Sequence, residues 1–132
     1  MRVVLDTNII IAAFAAHGLC SEVFEVCLTS HTIVMSEHIL SEVERGLIKK
    51  IHLPKNITAS IMDYLRNITE IFKPQPIKGS ACRDIEDRKI IGAAISGNAH
   101  LMITGDNDLL TLKKFMKTDI VTPREFWSRL RK

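Results

Sequence analysis

The sequence lacks the parts that several function classes require. No Gly-rich phosphate loop is present, and no Ser or Cys sits in a recognisable nucleophile motif. The three cysteines, Cys20, Cys27 and Cys82, are odd in number and none stands in a CxxC pair, so they read as reduced, structural residues. The histidines, His17, His31, His38, His52 and His100, are scattered without the spacing of a zinc site, and each reads as surface or satisfied core. The longest apolar runs, Ile9 to Ala16 and Ile90 to Ile95, fall far short of the roughly 20 residues that a membrane span needs. The chain starts directly on a strand-like run, without the basic, apolar and small-residue regions of a secretory signal. A cytoplasmic protein with no membrane partner is expected. Internal repeats and low-complexity segments are absent as well.

What is there fits a soluble α/β protein. At 132 residues, 46% hydrophobic and 25% charged, the chain is long enough to bury most of its apolar surface as a single domain over 1–132. Its net charge of +3 comes from 18 basic residues against 15 acidic ones. Each acid drawn into one shared site leaves the remaining surface more basic, which suits a polyanion.

The short apolar run Val3-Val4-Leu5 reads as a strand buried on both faces, and it runs straight into Asp6, Thr7 and Asn8. In open α/β sheets, ligands sit beyond the carboxyl ends of the strands, so Asp6 is expected at the mouth of a site. Asn8 to Ala15 is too continuous for a surface strand and reads as a buried helix capped by Thr7 or Asn8. Ser21 and Glu22 open a second helix. His31 to Met35 is the second strand, followed by Ser36 as N-cap and a helix from Glu37 to about Ile48, in which Gly46 marks a close packing contact. Leu53-Pro54 starts a helix striped by Ile57, Ile61, Tyr64, Leu65 and Ile68. Residues 70–72 form a third strand, 73–80 a loop, 84–96 a helix, 101–104 a fourth strand, 106–114 a helix, 119–121 a fifth strand and 123–130 a terminal helix. This alternation predicts a three-layer α/β sandwich with a parallel sheet of about five strands flanked by helices.

Four acidic positions then stand out. Asp6 and Asp106, with Asp108 beside it, lie at strand ends where helix capping is the plain alternative to a ligand role. Asp87 projects into the apolar arc of Ile90, Ile91, Ala94 and Ile95, where a carboxylate is costly unless something pairs with it. Capping and ligand roles both remain open for it, with Asp84 as the N-cap. Glu42 and Glu44 border the apolar arc of Ile39, Leu40, Val43 and Leu47 on opposite flanks, and periodicity does not choose between them. Carboxylates converging at one sheet edge repel each other, and a hard divalent cation, Mg²⁺ or Mn²⁺, relieves that repulsion. Metal-assisted hydrolysis of a phosphodiester is the chemistry these residues best support.

The order Val4-Leu5-Asp6-Thr7-Asn8, Ser36-Glu37 through Glu42, Cys82-Arg83-Asp84-Ile85-Glu86-Asp87, and Ile103-Thr104-Gly105-Asp106-Asn107-Asp108 closely resembles the PIN-domain ribonucleases. It looks most like the branch formed by the toxins of toxin–antitoxin systems. The match runs on to Thr122-Pro123-Arg124-Glu125-Phe126. The resemblance implies a central first strand and an acidic pocket that binds Mg²⁺ or Mn²⁺ to hydrolyse RNA. Carried over residue by residue, the catalytic, metal-binding acids are Asp6, Glu42, Asp87 and Asp106, so the resemblance favours Glu42 over Glu44. Asp108 is an auxiliary ligand, and Asn8 and Thr104 are polar residues lining the pocket. Ile85 stands where this branch usually has proline. A homodimer and a small antitoxin protein are implied as partners.

RNA must also be held by basic residues. The densest clusters, Lys113, Lys114 and Lys117 with Arg129, Arg131 and Lys132, are the candidates, against a plain reading as solvated charge. Two other readings compete with the ribonuclease. A haloacid-dehalogenase-type phosphatase needs a second Asp where this chain has Asn8. A non-catalytic RNA- or antitoxin-binding module would use the same fold without the metal.

Overall fold

A computed structural model describes residues 1–130 of the chain; Arg131 and Lys132, and with them the RNA-binding role expected of Arg131, lie outside the described residues. Strand β1 (Arg2–Leu5) leads into helices α1 (Thr7–Ala15) and α2 (Leu19–Ser30) and strand β2 (Thr32–Met35). Helices α3 (Glu37–Lys49) and α4 (Lys55–Ile68) precede β3 (Glu70–Ile71) and α5 (Ile85–Ser96). Then come β4 (Leu101–Ile103), α6 (Asn107–Leu112), β5 (Lys114–Phe115), β6 (Thr118–Val121) and α7 (Pro123–Leu130).

The strands form one sheet in the order β3-β2-β1-β4-β6-β5, parallel except for the pairing of β5 with β6. Consecutive strand residues point to opposite faces, and Val3, Val4 and Leu5 are all fully buried. Helices therefore cover β1 on both sides, as a parallel sheet requires. The central place of β1 matches the expectation. The sixth strand was not expected: where the sequence suggested helix through Lys114, α6 ends at Leu112 and Lys113 turns the chain with φ 60° into the two-residue β5. Two residues are too few to display a strand's alternation, so the pattern carried no sign of it.

Two close contacts set the spacing of the helices around the site. Gly46 of α3 packs on Ile11 of α1 so closely that an added Cβ would stand 2.0 Å from the Ile11 Cδ1. On α5, Gly92 lies against the loop 73–84, where a Cβ would stand 2.3 Å from the Gln75 carbonyl oxygen. That loop is tied to α5 by the Gln75 N–H, which donates to the Gly92 carbonyl at 3.1 Å. Arg88 holds its other end, donating to the carbonyls of Cys82 at 2.5 Å and Arg83 at 2.8 Å. Among the described residues no single helix is long and apolar enough to cross a membrane.

The cysteines are free, and burial pushes the Cys27 thiol up to about 12, which keeps it protonated and inert.

Candidate metal centre

Register explains why the first acid and its partner meet. β1 and β4 are parallel neighbours with Leu5 opposite Ile103, so the residues that follow, Asp6 and Thr104, emerge side by side at the carboxyl edge. The strand order reverses here, with β2 on one side of β1 and β4 on the other, and this is where an α/β sheet opens a crevice. The ladder continues one step, the Asp6 N–H donating to the Ile103 carbonyl at 2.9 Å. Asp6 stands at the N-cap position of α1 but makes no side-chain capping bond. Its Oδ2 instead accepts the Thr104 hydroxyl at 2.6 Å, and Thr104 Oγ1 in turn accepts the Asp106 N–H at 3.0 Å.

Asp106 caps α6, accepting from the Asp108 N–H at 2.9 Å. The N-cap of α5 is Asp84, which accepts from the N–H groups of Glu86 and Asp87. Asp87 is thereby relieved of capping. Its side chain is 5% exposed and turned into the cleft, and its Oδ2 has no hydrogen-bond partner. Such an orphaned buried oxygen ordinarily costs about 1–3 kcal/mol. Oxygens of Asp87, Asp106 and Asp108 lie within 4.8 Å of one another.

The electrostatics follow from that crowding. Burial, first, and then the nearby Asp106, Asp84 and Asp6 carboxylates push Asp87 up to about 7. Asp6 is also raised, chiefly by burial, with the Thr104 hydroxyl and the Lys50 ammonium pulling the other way and Asp106 adding to the rise.

All of this lies in a cleft of about 350 Å³ between the sheet edge, α3 and α5. Glu42 lines the cleft and Glu44 does not. Yet the four acids do not meet at one point. Glu42 is bonded to Arg45 at 2.8 Å and groups with His38 and Glu86, whose Nε2 and Oε2 atoms stand 2.6 Å apart across α3 and α5. His38 thus belongs to the cleft rather than to an unremarkable surface, and Glu86 reaches it from the rim. Asn8 also lines the cleft, its Oδ1 accepting from Lys50 Nζ at 3.1 Å.

The basic residues singled out by their density lie elsewhere. Lys114 and Arg129 flank Asp119 at 3.7 and 3.4 Å, and neither they nor Lys113 and Lys117 line the cleft. Instead Arg45, Lys49 and Lys50 line it. The signal that could have found them was helical: at about 100° per residue, Arg45 and Lys49 fall on the same side of α3 as Glu42.

The donor set suits a hard divalent cation. It consists of carboxylate oxygens, one of them buried and unpartnered, with like charges that a cation would neutralise.

The PIN domain family matches residues 2–108 of the chain. No curated protein sequence matches it. Among solved structures, the fold is similar to a chain in the crystal structure of VapBC2 from Rickettsia felis bound to a DNA fragment from their promoter. The TM-score is 0.64 at 20% identity, covering 92% of this chain and 98% of that one.

Proposed function

The chain belongs to the PIN domain family, and on that premise we propose that it is a Mg²⁺- or Mn²⁺-dependent ribonuclease, the toxin of a toxin–antitoxin pair. The observation that carries this reading is the unpartnered Oδ2 of buried Asp87, facing Asp106 and Asp6 at the carboxyl edge of the sheet. Asp6, Asp87 and Asp106 would hold the cation, with Asp108 at the exposed edge of the set and Glu42 across the cleft. When bound, such an ion supplies charge neutralisation at a scissile phosphate and a more acidic water. The chain's own residues do the rest. Thr104 holds Asp6 by donating to its Oδ2 and opposes the upward push of burial on that carboxyl. Asp106 is held by its cap to α6, and Glu42 is oriented by Arg45.

A small antitoxin partner, a homodimer and a cytoplasmic setting complete the proposal; the likeness to VapBC2 supports the partner. Cleavage of a labelled single-stranded RNA tests the activity. Cleavage should require Mg²⁺ or Mn²⁺ and stop in EDTA, and Asp6→Asn, Asp87→Asn or Asp106→Asn should each slow it by roughly 10²–10⁴-fold, the range for a positioned acid or base. Undiminished cleavage in EDTA, or by all three variants, would overturn the reading. Light scattering checks the dimer.

A further inference from the structure

We propose that Arg45, Lys49 and Lys50 form a phosphate-holding rim that positions single-stranded RNA across the acidic cleft, entering over the carboxyl-terminal half of α3 and crossing Asn8 toward Asp87. The inference rests on the ribonuclease reading, and names the residues that hold its substrate. Glu42, Arg45 and Lys49 occupy one narrow arc of α3 and rise along about 10 Å of its axis, so the wall of the cleft changes from acidic to basic in the direction of the helix. All three basic residues line the cleft and are exposed.

Their ordinary explanations account for only part of this. Cations in the last turn of a helix complement its dipole, and Arg45 pairs with Glu42 three residues before it. But Lys50 reaches away from its own helix to Asn8 Oδ1 on α1, across the cleft mouth. Among the described residues, no carboxylate lies within ion-pair distance of Lys49 or Lys50. At the β5–β6 hairpin Asp119 takes Lys114 and Arg129, and Lys113 and Lys117, though outside any ion pair among the described residues, do not line the cleft. Positive charge, two of its three cations outside any ion pair, beside an acidic floor is what a phosphodiester chain needs: cations for the flanking phosphates and an anionic centre left for the metal.

The test is equilibrium binding of a fluorescein-labelled single-stranded RNA to the full chain in EDTA, where no metal-dependent cleavage intervenes, between about 50 and 200 mM salt. Four proteins are compared: the parent, Lys49→Gln/Lys50→Gln, Arg45→Gln/Lys49→Gln/Lys50→Gln, and the hairpin variant Lys113→Gln/Lys114→Gln/Lys117→Gln. The α3 triple variant should bind roughly ten- to a hundred-fold more weakly and flatten the log–log salt dependence by about 2, three contacts at ~0.7 each. The double variant should lose correspondingly less, and provides the readout should the triple fold poorly. The hairpin variant should bind like the parent. With Mg²⁺ added, Lys49→Gln/Lys50→Gln should raise KM by a larger factor than it lowers kcat, a split that a merely structural role would not produce; the triple variant is read by binding alone, since Arg45 also orients Glu42. An unchanged affinity and salt slope in both α3 variants, a loss confined to the hairpin variant, or a parent that binds no RNA would each overturn the proposal. The ribonuclease reading fails in a different way. RNA binding that the α3 variants lose, in a parent that never cleaves with either metal, would keep the rim and remove the nuclease.

Discussion

Thr104 donates its hydroxyl proton to Asp6 at 2.6 Å, and the two residues lie 98 positions apart in the sequence. Both are buried, so the bond is shielded from water and its loss is felt in full. Thr104→Val keeps the shape, removes the donor to Asp6 and leaves the Asp106 N–H without an acceptor. It should cost about 2–3 kcal/mol in denaturant unfolding near neutral pH. Thr104→Ser keeps both bonds and should cost about 1 kcal/mol for the lost methyl. Equal losses in the two variants would mean that packing, not the hydrogen bond, sets the cost.

Acidity gives a second prediction. Asp87 ordinarily titrates near 3.8 and is pushed up to about 7 in the fold. The folded chain therefore holds this proton more tightly than the unfolded one. Its stabilising contribution is fully present below the unfolded value and is lost as pH rises toward the folded one, at up to about 1.4 kcal/mol per pH unit. Stability in EDTA should fall between about pH 4 and pH 7 and then level off. Asp87→Asn should reduce that slope without abolishing it, because Asp6 is raised too. The Arg66 guanidinium holds the Glu37 carboxyl below its usual range, which acts in the opposite direction. That pair is exposed and screened, so the Asp87 effect should dominate. Guanidinium titrations at several pH values decide it, and a parent slope identical to that of the variant would refute the assignment to Asp87.

Cation binding is a third test, and it needs no substrate. Mn²⁺ or Mg²⁺ should raise the melting temperature of the parent by mass action on the folded state, about 2.7 kcal/mol at a hundredfold excess over Kd. The gain should be smaller for Asp87→Asn. That variant should also melt above the parent in EDTA at pH 7, since it removes one of the crowded charges. A parent indifferent to both ions, with the variant melting lower, would leave the acidic cluster without a cation.

The two crowded glycines should behave differently when substituted. Gly46→Ala drives a methyl into the flexible end of Ile11, at a cost of about 1–3 kcal/mol, and Ile11→Val should recover part of it by removing Cδ1. Gly92→Ala meets the Gln75 backbone carbonyl, which no rotamer change can move away. Its cost should be the larger, and no trimming of neighbouring side chains should rescue it. Thermal melts of the three variants check this ordering.

The sequence revealed the fold where a pattern extended over a whole element. The apolar run of β1, the Ser36 cap, which accepts from the Ile39 N–H at 3.2 Å, and the Asp84 cap of α5 were all legible in it. So was the inward turn of Asp87, because helical geometry places it among Ile90, Ile91 and Ala94 whatever the tertiary structure. What stayed hidden depended on contacts between elements. No local pattern marks the β5–β6 hairpin. Nothing in the order of residues says that Lys50 reaches Asn8 or that His38 meets Glu86, since each pair is joined only when α3 is packed against its neighbours. Charge density along the chain did not point to the cations of the cleft for the same reason. Of the lysines clustered in sequence near residue 114, Lys114 meets Asp119 and none lines the cleft, whereas three cations spread along α3 share it.

The register that sets Asp6 beside Thr104 also fixes when the site can exist. β1 lies at the centre of the sheet, but its neighbour β4 begins only at Leu101. A chain growing from the ribosome can assemble its amino-terminal helices early, since domains form from that end during synthesis. It cannot complete the cleft until β4 has emerged, because the pairing of β1 with β4 closes a loop of nearly a hundred residues, a slow non-local step. Ribosome-bound fragments ending before Leu101 should therefore carry Asp6, Glu42 and Asp87 yet show no cation-dependent protection from proteolysis. The geometry thus delays the onset of any activity until β4 and the acids that follow it have emerged.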